Sequence, residues 1–330
     1  MALLGCGLIG SHGAPASDGV YWQGSTPEPL TAYAAGVGRE LAITLEASGP
    51  IGSSPQIFAE PLPRGARLER VSDAPAKVVF RWRPTEKQIG EWKLAFAAVA
   101  GQATAPPLSV YVHVGRSASR SFRLSSMEGR SQNATLIHRV NVRARPTNAS
   151  RIVFRLRPLT PERVPHVLYL LGGTIDGRGR YWLRVSLPAL PNGSSGWIPR
   201  EAVTSFRVVD THLLIDRARL RATLYRQGRP IFRSIVGVGQ PRWPTPAGSF
   251  YVRERLTGFT DPIYGALAFG TNGRSAVLTD WPGGGFIGIH GTNQPEILPG
   301  RVSHGCVRMP NSSIRRLDGL MRVGTAVTIR

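Results

Sequence analysis

Short runs of alternating apolar and polar residues recur through most of the chain. LAITLEA, AKVVFRW and LSVYVHV are examples from the first third, and turn residues separate such runs at a spacing of about 8 to 12 positions. Apolar residues at every second position of a strand place one of its faces in a core. The pattern predicts a mostly β protein that begins with a β-sandwich over residues 21–115.

Two further β segments are predicted after the sandwich. Residues 116–130 are rich in Ser and Arg and are interpreted as a linker. Residues 131–205 contain strand-like runs such as HVLYLLGG and YWLRVSLP, which predict a second small β unit. In residues 206–330, a β-rich third domain is expected, because LLIDRARLRATLYRQGRPIFRSIVGVG alternates on both sides of a hairpin turn at Gln227-Gly228.

One segment near the end of the chain has a helical period. Ile314, Leu317 and Leu320 lie three residues apart, which places them on one face of a helix. Asn311 or Ser312 is the predicted N-cap, since short polar side chains accept the free N–H groups of a first helical turn. The third domain is therefore expected to hold one or two short helices.

The stretch FIGIHGTNQPEILPGRVSHGCVRMPN combines one of the chain's two cysteines with His290 and His304. A thiol is a nucleophile as its thiolate, and a neighbouring imidazole is the usual means of lowering its pKa. His290 ends an apolar run that predicts a strand, whereas His304 lies two residues before Cys306 in a predicted turn. His290 is the predicted base, because a strand end fixes an imidazole and the intervening loop can fold back.

These residues resemble a known catalytic signature. HG at a strand end, a loop, SHGCVRM and then Asn311 resemble the motif of the L,D-transpeptidases of bacterial cell walls. VGVGQPRWPTPAGSFYV resembles the strand, turn and strand of that family, and VGTAVTIR resembles its closing strand. The resemblance covers residues 206–330. The two preceding segments resemble an immunoglobulin-like module and a bacterial Src-homology-like small barrel.

The resemblance implies a cysteine acyltransferase that uses no cofactor and no metal. Cys306 would attack the carbonyl after the third residue, a diamino acid, of a peptidoglycan stem peptide. His290 would relay the proton, with the Gly291 carbonyl orienting its ring. An amine of another stem would resolve the thioester and give a 3-to-3 cross-link. Carbapenem-type inhibitors are expected to acylate the same thiol.

The other motif residues are expected to support this chemistry. Backbone N–H groups around His304 to Cys306, among them that of Gly305, are expected to form an oxyanion hole. Ser303 and Arg308 match motif positions and are expected to shape the pocket or bind a substrate carboxylate. Asn311 matches the motif more loosely, and a structural role is its alternative.

The charge balance of 41 basic against 20 acidic residues gives +21. Such an excess favours polyanionic partners, among them anionic wall polymers. The arginines are scattered over all segments, which indicates a solvated Arg-rich surface, and no nucleic-acid partner is expected.

Residues 1–20 are interpreted as a signal or lipoprotein remnant followed by a tether. Leu3, Leu4, Gly5 and Cys6 resemble a lipobox, while the same apolar stretch also fits the end of an ordinary signal peptide. The protein is therefore expected in the extracytoplasmic cell envelope, in the periplasm or cell wall, either secreted or lipid-anchored. An anchor at Cys6 would be its contact with the membrane.

Three alternatives stay open. An L,D-carboxypeptidase would use the same residues, with water as the acceptor. A zinc site at His290, His304 and Cys306 has suitable ligand types but shows no fourth ligand. A non-enzymatic wall-binding protein would fit the two N-terminal modules, and it predicts an unreactive Cys306.

Overall fold

The computed structural model describes residues 19–126, 129–278 and 285–330. Cys6 and nearly all of the predicted remnant and tether lie outside these residues. Within them the protein is mostly β, as the alternation predicts. In the same ranges, no helix has both the length and the apolar character needed to cross a membrane.

The described residues divide into two compact units, one ending at Ser119 and the other beginning at Arg120. The first unit contains two sheets. Its strands are β1 (Tyr21–Trp22), β2 (Ala32–Gly36), β3 (Leu41–Ser48), β4 (Gln56–Glu60), β5 (Ala66–Asp73), β6 (Ala76–Trp82), β7 (Gly90–Ala100), β8 (Ala103–Thr104) and β9 (Leu108–Gly115).

The two sheets of the first unit share one core. Their strand orders are β1-β3-β6-β5 and β2-β9-β7-β4, with β8 paired to β7. Phe80 of one sheet meets Phe96 of the other edge to face, at 5.6 Å between ring centroids. Both rings are buried because alternate residues of each strand point between the sheets. The likeness of this sandwich to an immunoglobulin domain stays a prediction.

The second unit begins with a sheet in the order β13-β12-β16-β15-β14-β11-β17, with β10 also paired to β14. The predicted linker therefore contains a strand, and the likeness to a Src-homology barrel stays a prediction. The strands are β10 (Ser121–Arg123), β11 (Ser131–Thr135), β12 (Val140–Arg143), β13 (Ile152–Leu156), β14 (Val167–Ile175), β15 (Tyr181–Ser186), β16 (Ser195–Pro199) and β17 (Arg207–Val209).

The rest of the second unit is a sheet in the order β20-β19-β18-β27-β22-β23-β24-β26-β21-β25. Its elements are β18 (Thr211–Asp216), β19 (Arg221–Arg226), β20 (Arg229–Ile235), β21 (Gly237–Gly239), β22 (Gly248–Leu256), β23 (Ala268–Arg274), β24 (Phe286–His290), β25 (Gly300–Ser303), β26 (Val307–Arg308), the helix α1 (Asn311–Asp318) and β27 (Ala326–Ile329). Single 3₁₀ turns occur at Glu86–Gln88, Arg200–Ala202, Pro262–Tyr264 and Pro295–Ile297.

The predicted hairpin is confirmed. Strands β19 and β20 pair antiparallel and are joined by Gln227 and Gly228. Their φ angles are +50° and +78°, the left-handed values that a two-residue hairpin turn of the primed type requires. The turn matches the right-handed twist of its strands, so local sequence was sufficient to predict it.

The predicted cap of the helix is wrong. Helix α1 begins at Asn311 with Pro310 as its N-cap, and no side chain caps it. It ends at Asp318, and Ile314 and Leu317 form its buried face. The Asn311 side chain does not cap the helix, because it hydrogen-bonds to other residues beside the candidate active site.

The two sheets of the second unit are docked through buried contacts. Tyr251 of β22 packs on Tyr169 of β14 at 5.5 Å, and its hydroxyl donates to the Val167 carbonyl at 3.2 Å. Asn192 exchanges two hydrogen bonds with the backbone of Arg274, at 2.8 and 2.9 Å. These contacts fix the preceding sheet against strands that lead into the candidate site.

Candidate active site

Cys306 lies in a turn between β25 and β26. The Ser303 hydroxyl donates to the Cys306 carbonyl at 2.5 Å and accepts the Gly305 N–H at 3.1 Å. Gly305 has a φ of +116°, which a residue with a Cβ rarely adopts. Ser303 therefore shapes the turn. The Gly305 N–H donates to Ser303 here, and the oxyanion hole around His304 to Cys306 stays a prediction.

Thr245 supports the same turn from outside the motif. Its hydroxyl donates to the Gly305 carbonyl at 2.8 Å and accepts the Gly239 N–H at 2.8 Å. A Cβ on Gly239 would lie 2.1 Å from the Trp243 carbonyl oxygen, so only glycine fits there. The PTPAG segment was recognised from the sequence, but the hydrogen bond from its Thr245 to the turn depends on the tertiary fold.

His304 packs against Trp243, with ring centroids 4.2 Å apart. The Arg242 guanidinium lies over the same indole at 4.7 Å. In the described part of the chain, no group of three or more His, Cys, Asp or Glu residues is placed to hold a metal ion. The arrangement makes His304 part of the pocket wall.

His290 ends β24 and is 3% exposed. Its Nδ1 lies 2.7 Å from the Gly291 carbonyl oxygen, the contact that the resemblance implied. Because a carbonyl only accepts, Nδ1 carries the proton and Nε2 keeps its lone pair. The Tyr264 ring lies 5.2 Å from the imidazole. The geometry thus fixes the tautomer that a general base needs.

The Cys306 thiol lies on the same face of β24 as His290. The Gly288 N–H donates to Sγ at 3.3 Å, and the thiol is directed at the Phe286 carbonyl at 4.0 Å. A Cβ on Gly288 would be 3.7 Å from Sγ and 3.9 Å from His290 Cδ2. The thiol and the imidazole therefore both lie next to Gly288, which has no side chain to separate them.

Burial keeps both groups uncharged. It raises the pKa of the Cys306 thiol, although the Gly288 N–H and the Arg308 charge act in the opposite direction. Burial also lowers the pKa of His290 to about 4. The Arg308 charge lowers it as well, whereas the hydrogen bond to the Gly291 carbonyl acts to raise it. The directions of both shifts favour a neutral thiol beside a neutral imidazole at neutral pH.

The rate at which iodoacetamide alkylates Cys306 should therefore still increase with pH at values where an ordinary thiol is already fully ionised. The thiolate is the reacting form, and a raised pKa moves its appearance to higher pH. Mass spectrometry of the Cys306 peptide between pH 6 and 11, with N-acetylcysteine amide as reference, measures this. A rate that levels off below pH 8 would show a resting thiolate instead.

Arg308 is buried in β26, where it is paired in register with His290. Among the described residues its Nε has no hydrogen-bond partner. It lines a pocket of about 80 Å³ together with Cys306, His290, Ser303 and His304. The fold thus brings five of the predicted site residues to one cavity, and it places a buried cation there.

Asn311 connects two loops beneath this pocket. Its Oδ1 accepts the Ala266 N–H at 3.0 Å, and its Nδ2 donates to the Thr292 carbonyl at 2.9 Å. A Cβ on Gly291 would lie 2.1 Å from Asn311 Oδ1. Asn311 therefore packs directly against the residue whose carbonyl holds His290, which favours the structural alternative for it.

Residues 210–329 match the family model described as the YkuD L,D-transpeptidase catalytic domain. These residues are an L,D-transpeptidase catalytic domain. The resemblance seen at residues 206–330 is thereby confirmed at the level of the family. The match begins after β17, which belongs to the preceding sheet, so the family domain coincides with the sheet that starts at β18.

Curated relatives of the L,D-transpeptidase domain are found in two bacilli. The putative L,D-transpeptidase YkuD of Bacillus subtilis is 30% identical over 118 residues, which is 36% of this chain and 65% of the relative. The protein of the same name from Bacillus licheniformis is 30% identical over 106 residues, 32% of this chain and 57% of the relative. The chain thus spans less than two thirds of either.

Solved L,D-transpeptidases also align with the chain. A mutant of the Enterococcus faecium enzyme is 27% identical, covering 37% of this chain and 50% of that one, with a TM-score of 0.30. The Mycobacterium smegmatis enzyme is 12% identical over 94% of this chain and 99% of that one, with a TM-score of 0.28.

Proposed function

We propose that the chain is a peptidoglycan L,D-transpeptidase in which Cys306 is the nucleophile and His290 the general base. The observation that supports this best is the pairing of a thiol with an imidazole of fixed tautomer at one cavity. The backbone of Gly288 in β24 holds Sγ, and the carbonyl of Gly291, directly after β24, holds the imidazole. The names of the curated relatives agree with this activity.

Acylation begins from the neutral pair. The Cys306 proton passes to His290 Nε2 as Sγ attacks the carbonyl carbon after the third residue of the donor stem peptide. The C–N bond then breaks, and His290 returns the proton to the leaving amine. A thioester on Cys306 remains. Because the thiol is neutral at rest, proton transfer and attack are coupled, and the base supplies the activation.

The thioester is resolved by the side-chain amine of a second stem. His290 takes a proton from that amine, the C–S bond breaks, and the thiol is restored with a 3-to-3 cross-link as product. The L,D-carboxypeptidase alternative follows the same steps with water in place of the amine. The non-enzymatic wall-binding alternative is not favoured, since the thiol and imidazole lie together at a cavity.

Charge developing on the attacked oxygen needs donors near Cys306. The Gly305 N–H is used by Ser303, so the oxyanion hole is expected from the other backbone N–H groups of this turn. Arg308, with a buried Nε that has no partner among the described residues, is expected to bind a carboxylate of the substrate. We also place this chemistry outside the cytoplasm, where peptidoglycan is cross-linked.

The test is product analysis with a stem tetrapeptide donor and a second stem peptide as acceptor. The expected product is a dimer joined through the acceptor side-chain amine, accompanied by release of the terminal D-residue. Release of that residue without dimer would support the carboxypeptidase alternative. If the folded protein releases nothing from either peptide, the enzymatic proposal is rejected and the wall-binding alternative takes its place.

A further inference from the structure

Phe286 begins the strand that holds the proposed nucleophile. Its carbonyl oxygen lies 4.0 Å from Cys306 Sγ, and the N–H of Gly288, two residues further along β24, donates to the same sulfur at 3.3 Å. Phe286 also lines the pocket of about 80 Å³ and an adjoining cavity of about 310 Å³, and Cys306 lines both as well. A displacement of Phe286 would therefore move the backbone groups that hold the thiol.

Two guanidinium groups contact the ring of Phe286. That of Arg253 lies over the ring at 4.0 Å from its centroid, and that of Arg274 lies over it at 5.1 Å. A guanidinium is attracted to the face of an aromatic ring, most strongly where water is excluded. The Arg253 side chain is 1% exposed, so its contact with the ring is of the stronger kind. The position of the ring thus depends on what fixes these two arginines.

Both arginines are fixed by residues of the preceding sheet. The loop between β13 and β14 supplies Glu162, which accepts a hydrogen bond from Arg253 Nη2 at 3.1 Å. The loop between β15 and β16 supplies Asn192, whose side chain exchanges two hydrogen bonds with the Arg274 backbone. A segment that lies outside residues 210–329, the family domain, therefore contacts both arginines that lie over Phe286.

The orientation of the Arg253 guanidinium depends on Glu162. Its Nε and Nη2 both donate to one oxygen of Glu254, the next residue of β22. Two donors that share a single oxygen allow the guanidinium to turn about that oxygen, unlike two parallel bonds to both oxygens of a carboxylate. Glu162 accepts from Nη2 as well, and it comes from a different sheet. It thus supplies the second point of attachment that keeps the guanidinium over the ring.

We propose that Glu162 is a positioning residue for the nucleophile, acting through Arg253 and Phe286 on the backbone that holds Cys306. The inference rests on the proposed function, in which Cys306 is the reacting group. The preceding sheet contributes none of the motif residues and was interpreted from the sequence as a separate module. On this proposal it is nevertheless required for the full rate of acylation.

The test is the rate at which the carbapenem imipenem acylates Cys306, followed by intact-protein mass spectrometry over a range of imipenem concentrations. Glu162→Ala is expected to lower the limiting rate constant by about tenfold or more, because a displacement of about 1 Å at a reacting group costs up to about 10²-fold. The imipenem concentration that gives half of the limiting rate should change by less than about twofold, since the motif residues are all retained.

Asp318→Ala is the matched control. Asp318 pairs with Arg255, two residues beyond Arg253 in β22, and its side chain is 23% exposed, compared with 24% for Glu162. This ion pair connects β22 to the end of α1 instead of to Phe286. Asp318→Ala should therefore be acylated at the wild-type rate. Equal losses in the two variants would show that breaking either ion pair of β22 has the same effect, and the proposal would be rejected.

A double-mutant cycle with Phe286→Leu tests whether the effect passes through the ring. Leucine keeps an apolar side chain but removes the aromatic face, so Phe286→Leu should lose about as much acylation rate as Glu162→Ala. The double variant should be little worse than either single variant, and losses that add would overturn the proposal. Phe286→Leu leaves Glu162 in place. A wild-type rate in that variant therefore rejects the proposal even if Glu162→Ala does not fold.

Alkylation of Cys306 by iodoacetamide separates this inference from the proposed function, because it needs no acyl transfer. Glu162→Ala should be alkylated about threefold or more faster than Asp318→Ala at pH 8, since a displaced strand exposes the thiol to water and removes part of the burial that raises its pKa. If that difference is seen but wild type forms no adduct with imipenem, the positioning role stands and the proposed function is rejected. If wild type and Glu162→Ala are acylated at equal rates, the enzymatic proposal stands and the positioning role is rejected.

Discussion

Cys306→Ala is expected to abolish both acyl transfer and adduct formation with a carbapenem. Wild type should gain the mass of one carbapenem molecule, and the variant should gain none. Without the thiol no thioester forms, and loss of a nucleophile of this kind lowers kcat by at least about 10⁴-fold. Intact-protein mass spectrometry measures the adduct, and product analysis with stem peptides measures the transfer.

Cys6→Ala is the control for this experiment, because the chain has two cysteines. That variant should take up one carbapenem as wild type does. A thermal melt of Cys306→Ala checks that it is folded, and little change is expected since alanine removes only the sulfur of a half-buried side chain. An adduct that persists on Cys306→Ala would place the reactive group elsewhere and remove the basis of the mechanism.

Gly291→Ala is expected to lower kcat by about 10²-fold or more, with the protein still folded. The new Cβ would lie 2.1 Å from Asn311 Oδ1 and 3.0 Å from the Ala266 nitrogen, so the backbone at Gly291 must shift. Its carbonyl then leaves its position 2.7 Å from His290 Nδ1, and the imidazole loses its fixed tautomer and direction. Displacements of about 1 Å at a reacting group have effects of this size.

Asn311→Ala supplies the matched test of that explanation. It removes the oxygen that the Gly291 Cβ would strike, but it also leaves the Ala266 N–H and the Thr292 carbonyl without this partner. The double variant should therefore be little worse than the worse single variant. Rates of transfer and of carbapenem acylation for the four proteins form the cycle. Losses that simply add would show that the two residues act independently.

Gly319→Ala controls for the general effect of a glycine substitution in this domain. A Cβ there would meet only the Arg316 carbonyl oxygen, at 3.7 Å, and its φ of −70° is an ordinary helical value. Its kcat should match that of wild type. A loss comparable to that of Gly291→Ala would indicate that the domain tolerates no added methyl group, whatever its position.

Much of the fold was predictable because the signals are local. Alternation of apolar residues specified strands, since side chains of a strand point to opposite faces with a period of two residues. Gln227-Gly228 specified a turn through its left-handed backbone. The cap of α1 was mispredicted for a tertiary reason. Asn311 has the right side chain for a cap, but the loops at Ala266 and Thr292 occupy it.

The candidate site likewise has features that the sequence predicts and features that depend on the tertiary fold. Residue types and spacing identified Cys306 and His290 as the reactive pair to consider, and the motifs around them resemble those of the L,D-transpeptidases, whose family model matches residues 210–329. Tertiary structure decided that the pKa of the thiol is raised, because desolvation depends on which chain segments cover it. It also decided that Glu162, 144 positions before Cys306 in the sequence, lines a cavity with it, since only sheet pairing and docking bring such distant segments together.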